Sequence, residues 1–287
     1  MTHETRAPAR LALLLGFVLL SFAANSLITR HVVAGGLLDP GLLTAVRVVS
    51  GAGALLVFTF VRGGRVVVGR GNVVPTVALG AYAVCISYGY RFIGAAAGTF
   101  VFYAVVMLTL VGWDLSRRVS LSPRRRIGAV VSLLGISVLT LGRVGVVTLT
   151  GVLLLALTGA AWGVYTAAGR TAGDPTTTTT GNFALLAVVA LPAGLIGWSA
   201  GLPVSGPGLF WGTAMGAGTT AFAYVAWYAC QRSMTGTAAG SAQLVIPVIT
   251  TAGAVALLGE QLSWTLVAAA LLVAAGMWLN RPGRPAS

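Results

Sequence analysis

Arg47 carries the strongest chemical signal in the chain, because it stands about nine residues into the apolar stretch 38–61. Inserting an arginine at that depth costs about 2.5–3.5 kcal/mol, which predicts that it faces the protein interior or water rather than lipid. Its planar fork of donors could pair with the carboxylate of a solute. It could equally bond carbonyls and helix ends within a bundle. Asn25, Tyr103, Trp162, Tyr165, Asn182, Tyr224, Trp227 and Gln243 are further polar or aromatic residues lying away from the expected ends of apolar stretches. In lipid such groups need partners, either neighbouring helices or a solute in a wet cavity. Together with Arg47 they form the candidate substrate-binding set. Tyr228 and Tyr88 sit nearer the ends, where an aromatic belt at the headgroups is expected, and Trp227 is open to either role.

The absent chemistry narrows the function further. The five acidic residues, Glu4, Asp39, Asp114, Asp174 and Glu260, lie in the N-terminal tail or near predicted span ends. None is placed for a proton relay at mid-membrane or for gripping a cationic drug. His3 and His31 have no paired ligands, and Cys85 and Cys230 stand singly, so no catalytic site, metal or cofactor is expected.

The elements that must position these residues are membrane helices. Of 287 residues, 57% are hydrophobic and 8% charged, and the mean hydropathy is +0.92, values foreign to soluble domains. The apolar stretches number ten: 11–33, 38–61, 72–91, 94–114, 126–142, 147–169, 180–200, 207–230, 236–258 and 262–280. Each is about 18 to 24 residues, enough for a helix to cross a hydrocarbon core about 30 Å thick. The formal charge of +13 comes from 18 arginines, whose distribution excludes nucleic acid as the expected partner. With the N-terminus inside, Arg30, Arg91 and Arg143 fall outside, Arg47 falls within a span, and the other 14 of the 18 are cytoplasmic. That asymmetry follows the positive-inside rule and places both termini in the cytoplasm of a cell-membrane protein. The first stretch continues past the small residues Ser21 to Ala24, which predicts an uncleaved span rather than a signal peptide.

The chain also repeats itself. Gly94-Ala95-Ala96-Ala97-Gly98-Thr99 returns as Gly236-Thr237-Ala238-Ala239-Gly240-Ser241, 142 positions later. Phe22, Asn25 and Arg30 correspond to Trp162, Tyr165 and Arg170, and Tyr88 to Tyr228, all 140 positions later. Asp39-Pro40 corresponds to Asp174-Pro175, with Arg47 and Asn182 each seven residues past its proline. An odd number of spans per copy turns the second copy upside down, and in such carriers the solute path lies between the halves. The expected fold is therefore all-α and polytopic, with ten transmembrane helices in two inverted five-helix repeats, 1–143 and 144–287. The paired glycines predict close helix packing or smooth faces on which one bundle rocks against the other.

These features together resemble the EamA-type branch of the drug/metabolite transporter superfamily. The residues carrying the resemblance are Gly240-Ser241, Pro247, Leu258-Gly259-Glu260-Gln261-Leu262-Ser263 and Gly276, supported by Asp39-Pro40 with Arg47, Trp162-Gly163 and Gly173-Asp174-Pro175. The first half departs from the pattern, with Val105 and Arg118 where the second has Pro247 and Glu260. The resemblance implies an alternating-access transporter, an exporter of an amino-acid-like or other small organic solute. Its expected partners are that small molecule and the lipid bilayer, with a homodimer allowed. A sensor or structural protein retaining a transporter fold is the competing expectation.

Overall fold

The computed structural model describes residues 6–116, 122–141, 147–169, 173–232, 242–243 and 245–280. The second glycine segment, 236–241, lies outside them, as do Arg118, Arg143 and Arg170. The described chain is helical, with no strand: α1 (Arg6–Ala34), α2 (Pro40–Val61), α3 (Val73–Gly89), α4 (Ala95–Ser116), α5 (Pro123–Leu141), α6 (Leu149–Gly169) and α7 (Pro175–Ser199). Then come α8 (Gly206–Ala214), a π-helical stretch (Met215–Phe222) and α9 (Ala223–Arg232), which follow one another without a break, and finally α10 (Val245–Leu258) and α11 (Trp264–Asn280). Among the described residues, five helical segments are long and apolar enough to cross a membrane: Leu11–Ala34, Pro40–Val61, Ala95–Trp113, Leu149–Gly169 and Pro175–Ser199.

The helices start where the sequence supplies a cap. Asp39 Oδ1 accepts from Gly41 N at 2.8 Å and Asp174 Oδ2 from Thr177 N at 2.8 Å, each just before a proline that opens a helix. Proline suits this position because its missing N–H would be unsatisfied there in any case. The Asp-Pro pairs are thus helix-start devices. The threonine run that follows Pro175 is the first turn and a half of α7, and buried Thr180 meets Thr59 of α2 at 3.0 Å.

The helices pack in pairs: α2 on α7, α3 and α4 on α6, α5 on α11, and α1 against α9 and α10. The π-helical stretch lies against α2, where a Cβ at Gly216 would collide with backbone and side-chain atoms of Arg47 and Ser50. Away from these contacts the outward faces are apolar. Leu13 is 77% exposed, Val188 71% and Ile196 68%, which suits a lipid surround and would be costly in water.

Glu260 ties the turn after α10 to the start of α4 and the last turns of α1. Gly259 takes a φ of 65° that non-glycine residues rarely adopt, and the chain turns there immediately after α10. The Glu260 carboxylate then accepts from Ala95 N at 2.6 Å and Ala96 N at 3.1 Å, capping the start of α4. Arg30 Nε stands 3.8 Å from the same carboxylate, while Arg30 Nη1 donates to Tyr90 O at 2.7 Å. Gly94 leaves the room this needs, since a Cβ there would come within 2.9 Å of Glu260 Oε2. Gly98 likewise makes way for the Tyr90 ring. These two glycines therefore admit a carboxylate and a ring, not a smooth facing helix.

Glu260→Ala is expected to lower stability by about 1–2 kcal/mol through loss of the α4 cap. Thermal unfolding in detergent measures this, and an unchanged midpoint would show that the cap contributes nothing.

Candidate functional site

Arg47 lies about two turns into α2 and is 1% exposed. Its guanidinium is held by hydroxyls from three other segments. Nε donates to Thr220 Oγ1 at 3.0 Å, and Nη2 donates to Tyr82 Oη at 2.9 Å and Tyr224 Oη at 3.0 Å. Its Cζ also sits 4.9 Å from the centre of the Tyr82 ring, a cation–π distance. Nη1 has no hydrogen-bond partner.

A second layer fixes the first. Asn25 Oδ1 accepts from Thr220 Oγ1 at 3.1 Å and from Thr219 Oγ1 at 2.7 Å, while Asn25 Nδ2 donates to Thr219 O at 2.9 Å. Both threonines fall inside the π-helical stretch, a feature frequent at functional sites. Asn25 therefore orients Thr220, and Thr220 orients the guanidinium.

Aromatic rings enclose this polar centre. Trp162 lies 4.8 Å from Tyr224, 5.2 Å from Tyr82 and 5.2 Å from Phe22 between ring centres. Phe22 in turn meets Trp227 at 6.0 Å, and Phe183 meets Tyr224 at 6.0 Å. The indole N–H groups of Trp162 and Trp227 are buried without a hydrogen-bond partner.

The candidate residues divide into three groups. Asn25, Arg47 and Tyr224 are joined by hydrogen bonds through Thr220, and Trp162 and Trp227 form part of the aromatic wall. Tyr165 stacks on Trp162 at 5.4 Å and extends that wall toward Asn182, whose Oδ1 accepts from Asn72 Nδ2 at 2.7 Å. Tyr103 is buried against Phe102, whose ring meets Tyr82 at 5.9 Å. Gln243 is buried with Oε1 lacking a partner, and no hydrogen bond joins it to the Arg47 cluster. Tyr228 is not in an aromatic belt. It is 3% exposed, fits where Gly169 has no side chain, and donates to Tyr165 O at 3.1 Å. Trp227 is wholly buried as well, whereas Tyr88 is 37% exposed.

Tyr82 and Thr220 were outside the sequence-derived set although both touch Arg47. Tyr82 lies mid-way along a stretch of small residues, and a polar residue at that depth was the available signal. Nothing in Gly216 to Thr220 announces a π-helical turn.

A cavity of about 470 Å³ opens beside this core, lined by Asn72, Asp174, Thr177 and Tyr228 among others. It lies at the start of α3 and α7 and the ends of α6 and α9. The Asn72–Asn182 hydrogen bond connects its lining to the buried interior. At the opposite end of α1 stands the Arg30–Glu260 contact.

Lipid-facing apolar helices around a buried, polar, aromatic-walled centre define a multi-pass membrane protein. The EamA-like transporter family profile matches residues 149–281. An uncharacterized Pseudomonas aeruginosa protein (PA1977) is 33% identical over 270 residues, spanning 94% of each chain. One crystal structure, 20% identical, superposes with a TM-score of 0.66 over 95% of this chain and 97% of its own, a likeness of fold. The chain belongs to the EamA-like transporter family and is a membrane transporter of the drug/metabolite kind.

Tyr82→Phe or Tyr224→Phe removes a hydroxyl that accepts from a buried cation, and each is expected to cost about 1.5–3 kcal/mol. Unfolding of the variants in detergent checks this. Wild-type stability in both would mean the guanidinium does not depend on these hydroxyls.

Proposed function

We propose that the chain exports a small organic metabolite across the cell membrane by alternating access around Arg47. The single observation that carries this reading is the site's construction: a buried cation on α2 is held by hydroxyls from α3 on one side and from Thr220 and Tyr224 on the other. A relative movement of those elements would make or break the grip on the guanidinium. Substrate contacts are assigned to Arg47, Asn25, Trp162, Tyr165, Asn182, Tyr224 and Trp227, with Tyr103 and Gln243 as outer members.

The reading takes residues 1–143 and 144–287 as two inverted repeats with cytoplasmic termini. The packing pattern supports it. Exchanging α1 with α6, α2 with α7, α3 with the α8–α9 rod, α4 with α10 and α5 with α11 turns each principal contact into another. The contact of α3 with α6 becomes that of α9 with α1, and α4 with α6 becomes α10 with α1, while α2–α7 and α5–α11 map onto themselves. In this orientation the 470 Å³ cavity faces the cytoplasm, where an exported solute would enter. The Arg30–Glu260–α4 contact closes the outer end. Asn72 and Asn182 stand between the entry and the core. A small-molecule solute and the bilayer are the partners this reading requires.

Comparing intracellular and secreted metabolites with the gene present and deleted identifies cargo and direction, and flux in vesicles then measures transport. Arg47→Ala is expected to reduce flux of the identified solute at least tenfold. Flux unchanged by that substitution would reject the assigned role of Arg47.

A further inference from the structure

We propose that the Arg47 cluster takes an organic monoanion, a single carboxylate on an apolar body, in preference to a zwitterion, an amide or a cation. The proposal rests on the transport reading above and deepens it. Its basis is the balance of donors and acceptors around one buried charge.

Three unpartnered polar groups of the Arg47 core can only donate, and a fourth, the Tyr165 hydroxyl beside Trp162 and Tyr224, can also accept. Arg47 Nη1, Trp162 Nε1 and Trp227 Nε1 are buried without hydrogen-bond partners, and neither a guanidinium nor an indole can accept a hydrogen bond. Tyr82 and Tyr224 each accept one bond from Nη2 and their hydroxyls lie within hydrogen-bonding reach of each other, so the pair still has a hydrogen to give. A carboxylate supplies up to about four lone-pair positions and the compensating negative charge together. A neutral amide supplies one acceptor oxygen, no charge, and two further donors needing partners of their own.

No protein carboxylate among the described side chains competes for this role. Asp39 caps α2, Asp174 caps α7 and Glu260 caps α4, so each is committed to a helix end. Arg47 is therefore a desolvated cation held by neutral hydroxyls. For the same reason an ammonium group finds no anionic partner here. The aromatic rings could offer it about 0.5–2 kcal/mol of cation–π attraction, opposed by repulsion from the guanidinium beside them. The remaining walls are Phe22, Phe183 and the faces of Trp162, Tyr82 and Tyr224. A ligand whose carboxylate reaches Arg47 must lay the rest of itself against these rings, which calls for an apolar body.

A matched set of probes tests this with the purified full chain by titration calorimetry: 3-phenylpropionate, phenylalanine, 3-phenylpropanamide and chloride. Phenylalanine adds only an ammonium to the first compound, and the amide removes its charge and replaces one acceptor oxygen by an NH₂ donor. The expected result is saturable binding of 3-phenylpropionate, with phenylalanine, the amide and chloride each at least tenfold weaker. Arg47→Gln is expected to abolish binding, and Trp162→Phe, which keeps an aromatic ring of smaller size but loses the N–H donor, to weaken it at least threefold. No saturable binding of 3-phenylpropionate, or less than tenfold discrimination against any of the other three, overturns the proposal. Should Arg47→Gln fail to fold, Trp162→Phe decides, and unchanged affinity in that variant overturns it. Counterflow in liposomes separates the two readings: selective binding without flux contradicts transport and leaves the site, whereas flux of a neutral or zwitterionic solute without phenylpropionate binding contradicts the site and leaves transport.

Discussion

A single desolvated guanidinium organises the interior of this protein. Burying Arg47 in a membrane core costs about 2.5–3.5 kcal/mol, while each hydrogen bond to a charged group returns about 1.5–3 kcal/mol. Its three bonds, to Thr220, Tyr82 and Tyr224, are therefore enough to hold it. Because the acceptors are neutral, none of them adds an opposing charge to that hold. A carboxylate in the same position would bind more strongly and would make the centre rigid. Neutral hydroxyls on separate helices hold the charge in a way that movement of those helices can reverse.

The rest of the architecture supplies what that arrangement requires. The π-helical stretch presents two consecutive threonines to Asn25, and the absence of a side chain at Gly216 lets that stretch approach the Arg47 backbone. Aromatic rings from α1, α3, α6, α7 and α9 exclude lipid and water from the centre. Meanwhile the described carboxylates serve helix N-termini, where partial positive charge favours them. Asp39, Asp174 and Glu260 define where helices begin, Glu260 meeting Arg30 there, and among the described side chains no carboxylate bonds Arg47.

Hydropathy made the helices legible, since a lipid surround demands long apolar segments and satisfied backbones. The Asp-Pro pairs were legible only as matching points of the repeat; their local chemistry, a cap and a proline at the first helical position, starts α7 at Pro175, five residues before the expected stretch 180–200. Arg47 was legible as an interior residue for an energetic reason: a charge at that depth must face partners rather than lipid. The partners it chose were less so. Thr220 reaches it only because the helix widens into π geometry, and Tyr82 only because α3 packs beside α2, and neither relation has a local sequence signature. Tyr228 was expected among headgroups from its place near a span end. The glycine at 169, on another helix, opens the slot that buries it, and such complementarity appears only once the helices are assembled.

The central claim is that the Arg47 centre is reached from the two membrane faces in turn. Thr220→Cys, in a background with Cys85 and Cys230 replaced by alanine, places a near-isosteric thiol against the guanidinium. Membrane-impermeant thiol reagents applied to right-side-out and inside-out vesicles then report access from each face. Modification from both faces is the result predicted here. Modification from one face only, or from neither, would contradict alternating access to this centre.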